Sequence, residues 1–129
     1  MVGNDIVDLD LADKAAWKRP RYLHKVCTPS EQLLLSQTED PGTFLWVLWS
    51  MKESAYKLHF RKHLTRALNP IRFTCFFYGN YELGPEGRFR GRVVVGDEVY
   101  HTNTILCKDF VHTTAIDGSE DFRIQSEEV

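Results

Sequence analysis

Along the chain, apolar positions recur in two textures that divide near Pro70. Before it, after one short strand, they follow a helical period; after it, they fall in short runs separated by turn residues. Val2 to Leu9 mixes β-branched residues with acids and reads as a strand. A brief helix is predicted over Ala12 to Lys18, interrupted by Pro20. Thr28-Pro29-Ser30-Glu31 has the parts of a helix start: a Thr N-cap, Pro at the first helical position, and Glu at the capping-box position before Leu33-Leu34-Leu35. That helix should end near Asp40-Pro41-Gly42, and a longer one should run from about Thr43 to Leu64. Strands are predicted over Ile71 to Tyr78, Phe89 to Val95, Val99 to Leu106 and Phe110 to Ile116. Helices early and antiparallel strands late predict an α+β fold, with the N-terminal strand and helices, one of them long, packed on a C-terminal antiparallel sheet. Residues 1–116 read as a single domain and residues 117–129 as a loose acidic tail.

Composition narrows the class. With 43% hydrophobic and 26% charged residues in 129, the chain has the balance of one folded domain. No apolar run approaches the roughly 18 residues that cross a bilayer, and the N-terminus lacks the basic and apolar regions of an export signal. Cys27, Cys75 and Cys107 are odd in number and widely spaced, which disfavours a disulfide framework or a zinc knuckle. A cytoplasmic protein that neither spans nor crosses a membrane is expected.

The net charge of −2 conceals an asymmetry, because Asp117, Glu120, Asp121, Glu127 and Glu128 face Arg123 alone near the C-terminus. The body upstream is mildly basic. Lys14, Lys18, Arg19, Arg21 and Lys25 form one acid-free cluster, and Lys57, Arg61, Lys62, Arg66 and Arg72 accumulate between Glu53 and Glu82. Both could meet anions, although solvated charged faces are the common case. A pI near 6.2 makes nucleic acid a weaker partner than phosphate or an acidic protein.

The long helix separates into two faces at about 100° per residue. Phe44, Leu48, Met51, Ala55 and Leu58 share the core stripe; Trp46, Ser50, Glu53 and Lys57 share the opposite face, with Trp49, Tyr56 and Phe60 beside them. Two readings of that second face stand open. A ligand or second subunit covers its aromatics, or Glu53 and Lys57 form an ordinary i,i+4 pair and the aromatics pack on the chain's own sheet. Lys52 points toward the aromatic flank, in a structural role or toward phosphate. His59 and His63 are also i,i+4, a metal-ligand spacing, but Arg61 and Lys62 between them disfavour zinc.

Trp49-Ser50-Met51-Lys52-Glu53-Ser54-Ala55-Tyr56-Lys57 closely resembles the W-[S/T/C]-x-K-E-[A/S]-x-x-K signature of the 4'-phosphopantetheinyl transferases. Upstream, Gly3-Asn4-Asp5-Ile6-Val7-Asp8-Leu9 resembles that family's Gly-x-Asp motif at a strand start. The likeness covers residues 2–60 well, and the length resembles the short holo-acyl-carrier-protein-synthase type. The resemblance implies transfer of 4'-phosphopantetheine from coenzyme A to a serine of an apo carrier protein, with release of 3',5'-adenosine bisphosphate.

It further implies Mg²⁺ held by Asp5 and Glu53, which suits a hard cation that takes one or two carboxylates plus phosphates and water. Glu53 would also serve as base and Lys57 would stabilise the pyrophosphate. Lys57 with Arg61, Lys62, His63 and Arg66 could hold coenzyme A, the last four at its 3'-phosphate, although an ordinary basic helix end favoured by the helix dipole accounts for them nearly as well. By the resemblance, Lys18, Arg19 and Arg21 would dock an acidic carrier protein. Short members of the family are usually trimeric, so a homo-trimer with shared sites is expected. Asp8 reads as a strand-end or capping residue, because Val7 occupies the place of the third acid carried by the long two-half enzymes. Asn4 replaces a usual aliphatic residue, and the family's C-terminal Ser-His element is absent from Tyr100 to Ala115. Two rivals remain: a non-catalytic module that binds coenzyme A or a carrier protein, and a small nucleic-acid-binding domain that stacks bases on Trp46, Trp49 and Tyr56.

Overall fold

Antiparallel pairing brings the first and last strands of the fold together. In the computed structural model, which describes residues 1–64, 68–78 and 87–118, β1 (Val2–Asp8) lies along what becomes the last strand, β5 (Phe110–Asp117), with Asp5 opposite Thr113. Next to β5 run β4 (Glu98–Leu106), β3 (Gly87–Val95) and the short edge strand β2 (Thr74–Phe77), giving a five-stranded sheet of order β1-β5-β4-β3-β2. Three helices join it: α1 (Pro20–Val26), α2 (Pro29–Gln37) and α3 (Pro41–His63). The fold is α+β, as the texture predicts, and β5 runs one residue past the expected boundary, to Asp117.

Alternate residues of the sheet face α3. Phe89, Val93, Tyr100, Leu106, Val111 and Ala115 are buried there against the predicted stripe Phe44, Leu48, Met51, Ala55 and Leu58, all at most 1% exposed. Full burial of each large apolar side chain contributes about 1.5–3 kcal/mol. Cys27, Cys75 and Cys107 are free thiols, and no described helix is long and apolar enough to cross a membrane.

Two prolines act as starts rather than stops. Pro20 opens α1 and Pro41 opens α3, each at a position where the missing N–H costs nothing. The Asp40 carboxylate caps α3 by accepting from the Thr43 N–H at 3.1 Å. The capping box of α2 forms as expected, with Thr28 and Glu31 bonding each other's backbone N–H. The helix expected over Ala12 to Lys18 shrinks to a 3₁₀ turn at Ala16–Lys18. Asp8 and Asp13 accept from the N–H groups two residues on, closing local turns that compete with helix. The strand expected from Ile71 begins at Thr74, because Pro70 offers no N–H and its carbonyl takes the Phe73 N–H in a second 3₁₀ turn. The tail expected over 117–129 lies, from residue 119 on, outside the described residues.

Candidate active site

One line of α3 runs down β1, and each residue on it finds a partner there or beside it. Trp46 Nε1 donates to the Asp13 carbonyl at 3.0 Å. Ser50 Oγ donates to Thr113 Oγ1 at 2.9 Å and lies 3.4 Å from the Asp5 carbonyl. Lys57 Nζ donates to the Asn4 carbonyl at 2.6 Å, and Arg61 Nη1 donates to the Val2 carbonyl at 3.0 Å. Four helical residues rise about 6 Å, close to the span of two strand residues, so the helix and the antiparallel strand stay in step. Gly3 permits the approach, because a Cβ there would collide with the Ser54 carbonyl. Asp5 therefore sits between Ser50 and Lys57, the place along the helix that Glu53 occupies.

Asp5 and Glu53 form an acidic pair with one ammonium, Lys57, against their two carboxyl groups. Burial pushes both carboxyl groups above their ordinary range and Asp5's charge raises Glu53 further; Lys57 partly opposes this for both, joined at Asp5 by the Ser50 hydroxyl and His112. Asp5 Oδ1 faces Lys57 Nζ at 3.4 Å. Its other oxygen, Oδ2, is buried and has no hydrogen-bond partner among the described residues. An orphaned carboxylate oxygen beside a second acid fits a hard cation, since Mg²⁺ takes carboxylate oxygen and completes its shell with water and phosphate. Asp8 stands apart at the strand end, where its carboxylate accepts from the Asp10 N–H.

Lys52 is structural. Its side chain is 0% exposed, and Nζ donates to Glu31 Oε1 at 2.6 Å, the Val26 carbonyl at 2.6 Å and the Pro70 carbonyl at 2.9 Å. Glu31 also accepts from the N–H groups of Thr28 and Cys75. This buried hub joins α1, α2, α3 and β2 one residue from Glu53. Nothing in the sequence pairs Glu31 with Lys52, because a capping-box Glu reads as exposed. The aromatics flanking the Glu53 face follow the second of the two readings: Trp46, Trp49 and Tyr56 pack on the core of their own chain, and only Phe60, at 37%, counts as exposed.

The basic residues divide. Lys18, Arg19 and Arg21 are exposed on the segment that Trp46 ties to α3; Arg19 pairs with Asp13 at 2.7 Å and lies over the Tyr22 ring, and Lys18 lies over Trp17. Arg61 continues the Lys57 line. Lys62, about 140° further round the helix from Lys57, faces elsewhere, bonded to Asp117 at 2.9 Å and Glu98 at 3.3 Å. Arg66 lies outside the described residues. His59 and His63 meet Glu98, a carboxylate from a distant strand that local spacing does not reveal.

A long helix docked on a β1-edged antiparallel sheet, with two carboxylates and a lysine at their contact, matches the class that the sequence motifs suggest. The family model of the 4'-phosphopantetheinyl transferase superfamily matches residues 1–115, and the chain belongs to that superfamily of transferases. No curated protein matches the chain.

Proposed function

We propose that this chain transfers the 4'-phosphopantetheine group of coenzyme A to a serine of an apo acyl or peptidyl carrier protein, as a small, Mg²⁺-dependent, cytoplasmic holo-acyl-carrier-protein synthase. The observation that carries the reading is the buried, unpartnered Asp5 Oδ2 beside Glu53. Asp5 and Glu53 would hold Mg²⁺, which when bound supplies charge neutralisation to the pyrophosphate. The serine oxygen bonds to the β-phosphorus, the bond from that phosphorus to the bridging oxygen breaks, and 3',5'-adenosine bisphosphate leaves. Glu53, whose raised carboxyl favours accepting a proton, takes the serine proton directly or through one water. Lys57 lies between the acid pair and the Asn4 carbonyl, positioned to stabilise phosphate charge as it develops.

Arg61 and Arg66 would contribute contacts to the 3'-phosphate end of coenzyme A, and Lys62 would join them only by leaving Asp117 and Glu98. Arg61 is the favoured member because it continues the Lys57 line. Lys18, Arg19 and Arg21 would receive an acidic carrier protein. A homo-trimer with sites shared between chains completes the reading. Its support is that Asp5 lies on β1, an edge strand of the sheet, whose unpaired edge a neighbouring chain could cover to close the site.

The test is incubation with coenzyme A, Mg²⁺ and several apo carrier proteins, read by mass spectrometry for a phosphopantetheine adduct on serine. An adduct that disappears in chelator and in Glu53→Gln supports the reading. No adduct on any carrier, with coenzyme A still bound, would favour a binding module instead.

A further inference from the structure

Beyond the acid pair at β1, a second group of potential ligands gathers where the last turn of α3 meets the start of β4. Glu98 is its centre: Oε1 lies 2.6 Å from His63 Nε2, and Oε2 accepts from the Tyr100 hydroxyl at 2.6 Å and lies 3.5 Å from His59 Nδ1. The ligating atoms of His59, His63 and Glu98 all fall within 4.8 Å of one another. A tetrahedral ion with bonds of about 2.0–2.1 Å needs its ligands roughly 3.3 Å apart, so small side-chain rotations suffice.

We propose that His59, His63 and Glu98 form a second metal site, selective for a borderline divalent transition ion such as Zn²⁺ or Co²⁺ and separate from the Asp5 and Glu53 pair. Two imidazoles and one carboxylate are a donor set that suits such ions and not Mg²⁺. The site has outer support. The His59 ring is fixed edge-on against Phe73 at 5.6 Å and Tyr100 at 5.9 Å, and the Tyr100 hydroxyl orients the ligating carboxylate. The Tyr100 hydroxyl also lies 2.9 Å from His59 Nδ1 and, with its own proton on Glu98, accepts from that nitrogen, so loading the site releases the Nδ1 proton.

Lys62 is the apparent obstacle, as its ammonium stands 3.3 Å from Glu98. It has a closer partner in Asp117, at 2.9 Å, so the ion replaces one of two contacts and Lys62 keeps the other. Occupation would fasten the end of α3 to the β3–β4 hairpin. The Glu53 and Lys57 line would be left unchanged.

The test is titration of the tag-free protein with Co²⁺ in excess Mg²⁺, read by the visible absorption of four-coordinate Co²⁺, with Zn²⁺ competition. One equivalent should bind, raise the melting temperature and be displaced by Zn²⁺. His59→Ala and His63→Ala should each weaken it at least tenfold, and Tyr100→Phe about tenfold. His24→Ala, on α1, should change nothing. The His63 side chain is 43% exposed, so its replacement leaves the fold intact even if Glu98→Gln does not. Absence of binding to the wild-type chain, or binding as tight in His59→Ala and His63→Ala, overturns the proposal.

Discussion

Gly3 packs directly against the backbone carbonyl of Ser54, so that a methyl group there would run into that oxygen and press on Leu58 Cγ at 3.1 Å. The glycine of the Gly-x-Asp motif thus sets the distance between β1 and α3, and with it the distance between Asp5 and the helix that carries Glu53. Gly3→Ala is expected to cost about 1–3 kcal/mol of stability, as overpacking does. Activity should fall further than the folded fraction explains, because the two carboxylates separate. Asn4→Ala serves as control, since Asn4 is exposed and contributes its backbone carbonyl to Lys57. Urea unfolding combined with the transfer assay reads both effects; a Gly3→Ala protein with native stability and activity would remove the steric argument.

Lys52 and Lys57 are lysines of one motif in opposite settings, the first fully buried and the second 44% exposed. Lys52→Met should destabilise by about 3–5 kcal/mol, because it leaves Glu31 buried and uncompensated. The activity of the molecules that remain folded should persist. Lys57→Ala should cost less stability than Lys52→Met, because the Lys57 side chain is 44% exposed against 0% for Lys52, while turnover drops steeply. Equal losses of turnover per folded molecule would place both lysines in the site.

Much of this division was hidden in the sequence for a physical reason. Periodicity identifies Phe44, Leu48, Met51, Ala55 and Leu58 as core and puts Trp46, Ser50, Glu53 and Lys57 on one face, because both follow from the helix repeat alone. It cannot show that the second face lies along β1, since that depends on β1 pairing with β5 more than a hundred residues away in sequence. Glu31 with Lys52, and Glu98 with His59 and His63, are likewise contacts between distant segments. That Asp5 and Glu53 approach each other was expected because each belongs to a short motif, whereas the positions of Pro20 and Pro41 depend on which side of the proline the helix lies.

Asp5→Asn should abolish transfer without harming the fold. The raised carboxyl of Asp5 means that the folded chain binds protons more tightly than the unfolded chain, so in chelator stability falls as pH rises from the ordinary aspartate range through the raised folded value. Asp5→Asn should flatten that dependence and leave the metal-free protein at least as stable as wild type. Mg²⁺ should raise the melting temperature of the wild type and leave the variant unmoved. A variant that still responds to Mg²⁺ would move the metal away from Asp5.

Docking at the basic segment predicts a split between substrates. Arg21→Glu should raise the KM for the carrier protein and weaken its salt dependence, with the KM for coenzyme A unchanged. Arg19→Glu should do the same and also lose the contact with Asp13. Parallel changes in both KM values would assign the cluster to the nucleotide.

Thiol reactivity reports on the hub around Lys52. Cys27 and Cys75 are buried, and burial pushes the Cys27 thiol up to about 12. At pH 9 only about a thousandth of Cys27 would be thiolate even with free access. Native protein should therefore be alkylated at the half-buried Cys107 first, and the other thiols should react only after opening. Because the Cys75 N–H is held by Glu31, whose other oxygen receives Lys52, Lys52→Met should speed labelling of Cys75 more than that of Cys107. Mass spectrometry after timed alkylation separates the three sites. If Cys75 stays as protected in Lys52→Met as in wild type, while the variant is less stable overall, the hub does not govern local opening and its effect is confined to global unfolding.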